Sequence, residues 1–438
     1  MRILLVNPPN CGRSIPEEEY GLEGIKLVFR GEPLALETIA GNLEGYEVRI
    51  TDLKAAPGTL ADDLASFRPD IVGITGVTCE ANTMVRIAAE AKAAGARWIA
   101  VGGNHASGDP GFFNREEIDF VVVGLGKASF RTLVDALATG GDGSGIPGVA
   151  RILPGGALRL VPRRYGPTDL VAGKPPRYDL VERHREKYVM SGVGGKMGFV
   201  ATAFGCSHRC SFCSIPPVTG GRYLTLSPEA VLRDIALLPD LPLIRLVDAN
   251  TYADTKVSEA LAEAIIAAGV SRKFVADVRA DTVTRHPDLI RRWKEAGLAT
   301  VVIGFEEIEE GRLADFDKRC SAETNREAIA LLKGIGIRIV GDFIVSPDYV
   351  DEDFARLVSF VDETAIDLPI AAVLTPIPGT PLHQRWRDRI TVDDLDFYTF
   401  TNALVPTRME PKAFYTAYAE MMQGFLGRVA HPPARSDR

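Results

Sequence analysis

Three of the chain's six cysteines stand within eight residues, in Cys206-Ser-His-Arg-Cys210-Ser-Phe-Cys213. So few cysteines in a chain of 438 residues do not build a disulfide framework, and bunching of this kind points to metal or cluster chemistry. Three thiolates on one tight loop can ligate three irons of a cubane and leave the fourth iron without a protein ligand. An iron left open in this way can take a chelating ligand from outside the protein. The competing expectation is a zinc site made of the same cysteines with His208. Cys11, Cys79 and Cys320 are isolated in the sequence and read as buried thiols.

Such a loop needs a rigid support, and the sequence behind it has a βα rhythm. Short β-rich runs at 199–204, 243–247, 274–276, 300–303, 337–345 and 370–374 alternate with helical patterns such as 227–237, 324–334 and 352–364. Six βα units suit an incomplete barrel, whose active groups belong at the carboxyl ends of its strands. The cysteines follow directly on the first run. Upstream, five further runs at 3–6, 48–50, 71–74, 98–101 and 120–123, with a helix at 81–94, predict a doubly wound, Rossmann-like parallel sheet over 1–138. Its ligand site is expected in loops 7–13, 75–82, 102–107 and 124–128, where glycines and small polar residues crowd. Residues 139–197, with Gly140-Gly141, Gly155-Gly156 and Pro175-Pro176, read as a linker with one hairpin. The partial barrel is expected over 198–384, and a small α-rich segment on the substrate side over 385–438, with a helix near 412–425. The fold class is α/β throughout.

Composition narrows the partners. With 46% hydrophobic and 25% charged residues the chain has the balance of a folded globular protein. A net charge of −8 argues against a broad phosphate-binding surface, so no nucleic acid is expected. No apolar run approaches the roughly 20 residues of a bilayer span, and the start MRILLVNPP reads as a first strand, not a signal peptide. The expectation is a cytoplasmic protein with a small-molecule substrate and no membrane partner.

C-x3-C-x2-C after a first barrel strand, with a (βα)6 pattern behind it, resembles the radical S-adenosylmethionine (SAM) superfamily. The resemblance implies a [4Fe–4S] cluster on Cys206, Cys210 and Cys213, with SAM chelated at the open iron. It implies reductive cleavage of SAM to a 5′-deoxyadenosyl radical, hydrogen abstraction from a small metabolite, and an electron donor such as flavodoxin or ferredoxin. Phe212 matches the aromatic that precedes the last cysteine and flanks the adenine. Gly304-Phe305-Glu306-Glu307 is similar to the family's Gly-x-Glu-Ser, which makes Glu306 a SAM-binding candidate. Asp248 and Asn250 follow the second strand, where relatives carry polar residues facing the cofactor. Arg279, just past the third, is a candidate partner for the SAM carboxylate. Thr375-Pro-Ile-Pro-Gly-Thr-Pro-Leu382 is close to the TPxPGTPL of the subgroup with a cobalamin-type domain.

The upstream domain extends this resemblance. Asn7-Pro8-Pro9, Pro69-Asp-Ile-Val-Gly-Ile-Thr75, Val101-Gly-Gly-Asn-His-Ala-Ser107 and Phe120-Val-Val-Val-Gly-Leu-Gly126 look like the cobalamin-binding domain of class B radical SAM enzymes, many of them methyltransferases. Cobalamin is thereby implied, with Gly102 and Gly103 allowing close backbone approach and Thr75 and Thr78 meeting the nucleotide tail. The chain departs from the pattern in having no Asp-x-His-x-x-Gly in its first loop. It also has Asn104 where relatives have Pro in Gly-Gly-Pro-His, and Leu125 and Lys127 where they have Gly-Glu-Gly-Glu. The charged loop 13–30, with Glu17, Glu18, Glu19 and Lys26, is expected to fill or line the pocket, and His105 reads as structural. Two enzymatic expectations follow. One is cobalamin-dependent C-methylation; the other is cobalamin-independent dehydration, as by a diol dehydratase, or dehydrogenation of an aminoglycoside or polyol. A non-catalytic zinc-binding module is the third reading. Substrate contacts are expected at His383, Tyr398, Asn402 and Tyr415.

Overall fold

The computed structural model describes residues 1–23, 29–151, 156–166, 169–170 and 173–430, so that Lys26 and Gly155 lie outside the described residues. Of strands β1 (Arg2–Asn7), β2 (Glu47–Asp52), β3 (Ile71–Thr75), β4 (Trp98–Gly102) and β5 (Phe120–Val122), all but the edge strand β2 are short apolar runs. Helices pack on both faces of their sheet, which is why these runs are mostly buried and need not alternate with polar residues. They pair in parallel in the order β2-β1-β3-β4-β5. A linker hairpin, β6 (Val149–Arg151) and β7 (Arg159–Leu160), extends the sheet antiparallel beyond β5. The strand order reverses between β1 and β3, and a crevice opens at the carboxyl ends of that pair.

The second sheet is β8 (Gly198–Val200), β9 (Leu243–Leu246), β10 (Lys273–Val278), β11 (Leu298–Glu306), β12 (Arg338–Val345) and β13 (Leu368–Val373). These strands pair in parallel in chain order, as an open barrel requires. Val275, Val302, Val340 and Leu368, one from each of four successive strands, pack together as one cluster. Ser227 and Ser321 hydroxyls cap the helices Pro228–Ala236 and Ala322–Ile335, accepting from Ala230 N and Thr324 N at 3.3 and 3.0 Å.

The expected first barrel strand, 199–204, is broken in two. The Asp248 carboxylate accepts from Thr202 N at 2.8 Å, Ala203 N at 2.9 Å and Thr202 Oγ1 at 2.6 Å. Donors that would have continued the parallel ladder go instead to a side chain. Beyond them Ala203–Gly205 pairs antiparallel with Tyr223–Thr225.

The carboxyl-terminal segment ties the two sheets together. Arg13 N donates to Asp396 O at 2.7 Å, and Ile15 N donates to Asn402 Oδ1 at 2.8 Å. Asn402 Nδ2 lies 2.9 Å from Arg13 O and 2.7 Å from Phe397 O. Tyr415 OH accepts from Ala403 N at 3.0 Å, and Tyr398 is buried with Ile377 and Leu404. Asn402, Tyr398 and Tyr415 therefore hold the domains in place, a correction to their expected role as substrate contacts. His383 is half-buried in the first turn of the helix Pro381–Trp386.

His105 belongs to this packing. It is 1% exposed, its Nδ1 lies 3.3 Å from Thr78 Oγ1, and the rings of Phe112 and Phe113 meet it edge-on. Burial pulls its pKa down to about 4, against a weak upward pull from Asp109. The folded state thus favours the neutral ring. Its contribution is complete above the unfolded pKa near 6.5 and is lost as pH falls from there toward 4. Urea unfolding at pH 7 and pH 5 should show His105→Gln losing about 2 kcal/mol less than the wild type over that step. Parallel losses would assign the acid sensitivity elsewhere.

Candidate functional site

The cysteine loop leaves the short hairpin at Gly205, whose φ of 79° is left-handed and where a β-carbon would collide with Arg222 O and Thr219 Oγ1. Three contacts then fix the loop. Ser211 N donates to Phe316 O at 3.0 Å, Ser211 Oγ to Asp315 O at 3.1 Å, and Leu382 N to Ser211 O at 2.8 Å. Phe212 packs edge-on to Phe316 at 5.4 Å, beside Leu374 and Leu382. Burial pushes the Cys210 thiol up, with Lys318 and Arg279 pulling it back, and pushes Cys213 to about 11. Loading a cluster on these thiols therefore releases protons. Three thiolates on one loop, each able to take a separate iron, are a donor set that fits a cubane with its fourth iron left open.

Opposite the loop, β11 ends in a bulge. Its register to β12 slips between Gly304 and Glu306, and Glu306 takes a left-handed φ of 63°. A residue with a side chain holds that conformation only where its surroundings impose it. The turn lays the carboxylate over Gly304, which has no β-carbon to obstruct it. Lys318 Nζ donates to Glu306 Oε1 at 2.5 Å and to the Gly304 carbonyl. Glu307 faces away and accepts from Tyr349 OH at 2.7 Å. Lys318 is buried, between two further left-handed residues, Asp317 and Arg319. Sequence reasoning missed Lys318, since nothing in its loop repeats or matches a motif.

The remaining strand-end residues divide by role. Arg279 donates from Nε to Asp281 Oδ1 at 2.9 Å and from Nη2 to the Lys318 carbonyl at 2.6 Å. The carboxylate it was expected to find on a cofactor is supplied by the chain, and the side chain supports Lys318. Asp248, committed to Thr202 and Ala203, likewise shapes the loop in place of the expected cofactor contact. Asn250 differs. It is 2% exposed, and neither amide atom has a partner among the described residues. A buried amide so placed is costly unless a ligand or water meets it.

In the first domain a cavity of about 380 Å³ opens at the β1/β3 switch point, lined by Asn7, Thr75 and Gly102 among others. A β-carbon on Gly102 would meet nothing closer than 3.4 Å. On Gly103, whose φ is 96°, it would stand 2.7 Å from Gly76 O and Thr75 Oγ1, so a glycine is required there for two loops to meet, and its backbone lines the cavity as well. Thr78, expected at the ligand, is buried beside His105 and lies off the cavity wall. Bare glycine backbone and apolar side chains make up much of the wall. Such a space would have room for a nucleotide-sized group with an apolar body.

Residues 24–134 match the B12 binding domain and residues 200–361 the radical SAM superfamily. The hopanoid C-3 methylase of Methylococcus capsulatus is 26% identical, over 91% of this chain and 77% of the methylase. An uncharacterized methyltransferase of Pyrococcus horikoshii is 29% identical, over 95% of this chain and 92% of its own length. The radical SAM methyltransferase TsrM from Kitasatospora setae, solved with cobalamin and a [4Fe–4S] cluster bound, superposes with a TM-score of 0.69. At 19% identity, over 95% of this chain and 85% of that one, this is a likeness of fold. Among the described residues no helix is long and apolar enough to cross a membrane. Both domains, in this order, are those expected from the cysteine motif and the glycine loops. The chain therefore belongs to the radical SAM enzymes that carry a cobalamin-binding domain, with a [4Fe–4S] cluster, SAM and cobalamin as their cofactors.

Proposed function

We propose that this enzyme is a cobalamin-dependent C-methyltransferase acting on a small molecule, with a one-electron donor such as flavodoxin or ferredoxin. What supports the reading is a shared wall. Phe204, two residues before Cys206, and Val218, five after Cys213, both line the first domain's cavity. A β-carbon on Gly124 would stand 2.9 Å from the Val218 carbonyl. Methyl transfer to a carbon radical needs the donor close to where the radical forms, and this contact joins the two sites.

When bound, the cluster and SAM supply hydrogen abstraction and cobalamin supplies the methyl group. The chain's residues bind and orient. Cys206, Cys210 and Cys213 hold the cluster. Glu306 and Lys318 present a carboxylate and an ammonium, with the lysine's charge acting on Cys210. That pattern complements the zwitterionic end of SAM. Asn250 offers its unpaired amide to the same cofactor, and Phe212 an apolar face to the adenine. Thr75 and Gly102 border the entry of the corrinoid arm. Asp248 and Arg279 act through the loops they hold.

Anaerobically reconstituted protein should contain about four iron and four sulfide per chain, and Ala at Cys206, Cys210 and Cys213 should remove both. Glu306→Ala should keep the iron and weaken SAM binding about tenfold in equilibrium dialysis. Asp248→Ala should lose iron although it contacts no ligand. Stoichiometric zinc without sulfide would overturn the cluster assignment.

The products distinguish the reactions. Turnover should yield 5′-deoxyadenosine together with S-adenosylhomocysteine, since one SAM starts the radical and another supplies the methyl group. Deoxyadenosine without S-adenosylhomocysteine, at a rate indifferent to added hydroxocobalamin, would replace methylation by dehydration or dehydrogenation.

A further inference from the structure

Two lysines line the first domain's cavity, and they differ in company. Lys54 Nζ lies 2.6 Å from Glu80 Oε1, and the other Glu80 oxygen accepts from Val77 N at 3.0 Å, so that charge is answered. Lys127 has no ion pair or hydrogen bond among the described residues. A neighbouring carboxylate, Asp234 of the helix Pro228–Ala236, is held by Arg233 at 2.7 Å. The Lys127 ammonium lies against Gly173, where a β-carbon would overlap it. Burial pulls its pKa down, the expected response of a cation without a close counter-ion.

The surrounding wall adds positive character of its own. Lys127 sits in the first turn of the 13-residue helix Gly126–Ala138, whose N-cap residue, Leu125, supplies no side-chain acceptor. Gly124, Leu125 and Gly126 line the cavity beside it, while Ile74, Val101 and Phe130 supply apolar wall. The cavity thus suits a ligand with an apolar body and one anionic group. Among the parts of cobalamin, the nucleotide arm has that composition. It is an aromatic base joined through ribose to a phosphodiester, the one anionic group among the side arms, while the other polar arms are amides.

We infer that Lys127 is the counter-charge for the phosphodiester of the cobalamin nucleotide arm, and that it makes this enzyme select corrinoids that carry the arm. The inference rests on the cobalamin reading above.

Hydroxocobalamin and cobinamide, the same corrin without the nucleotide arm, test it by equilibrium dialysis against the cluster-loaded full chain. Lys127→Met should weaken cobalamin binding about tenfold and leave cobinamide binding unchanged, while Lys127→Arg should keep most of the affinity. Wild-type affinity for cobalamin should fall with added salt more steeply than that of Lys127→Met. Equal cobalamin affinity in wild type and Lys127→Met overturns the inference. So does an equal loss for both corrinoids, which would make the side chain a packing element. A wild type that takes up neither corrinoid overturns the cobalamin reading and this inference with it.

Discussion

The Asp248 carboxylate, enclosed at the end of β9, takes two backbone N–H groups and one hydroxyl from Thr202 and Ala203. Burial raises its pKa, and those hydrogen bonds oppose the rise. An ionised carboxylate buried alone would cost several kcal/mol; three charge-assisted bonds offset that and fix one backbone path. The consequence runs downstream. β8 stops, the chain turns out of the sheet, and Gly205 sends it into the cysteine loop. The loop is then held from outside, by the carbonyls of Asp315 and Phe316 and by the N–H of Leu382. Ligands for a cluster are thereby placed by contacts that do not involve the cluster.

Backbone strain gathers in the same region. Of six non-glycine residues with positive φ among the described residues, three are Glu306, Asp317 and Arg319, around the Glu306–Lys318 pair. Each such residue costs of order 1–3 kcal/mol, which the rest of the fold must offset. What the strain achieves is orientation. It turns one carboxylate back over a glycine and holds one ammonium against it, in a place where flexible side chains on an exposed loop would spread.

The approach of the two sheets depends on missing side chains. A β-carbon on Gly379 would stand 2.6 Å from the Gly108 α-carbon, and Gly124 approaches Val218 in the same way. Polar anchors from the carboxyl-terminal segment lock the approach, with Asn402 alone reaching Arg13, Ile15 and Phe397. Glycines let the backbones come close, and the asparagine fixes their relation. The first domain's cavity can then share a wall with the loop that carries the cysteines.

Much of this was legible in the sequence. Ligands on one loop are close because they are close in sequence, so C-x3-C-x2-C announced its chemistry locally. Strand and helix periods report which faces are buried, and so the βα rhythm of both domains, the open six-stranded barrel and the glycine loops at the strand ends could be read directly. Tertiary structure alone decided which partner each polar side chain found. Asp248 meets Thr202 from 46 residues away, and Asn402 meets Ile15 from 387. Lys318, in a loop without pattern, becomes the partner of Glu306, while Thr78 turns to His105 and away from the cavity. Burial is a property of one residue's own position, so its period is written along the chain. A hydrogen-bond partner is a property of two positions brought together by packing, and no local spacing records it.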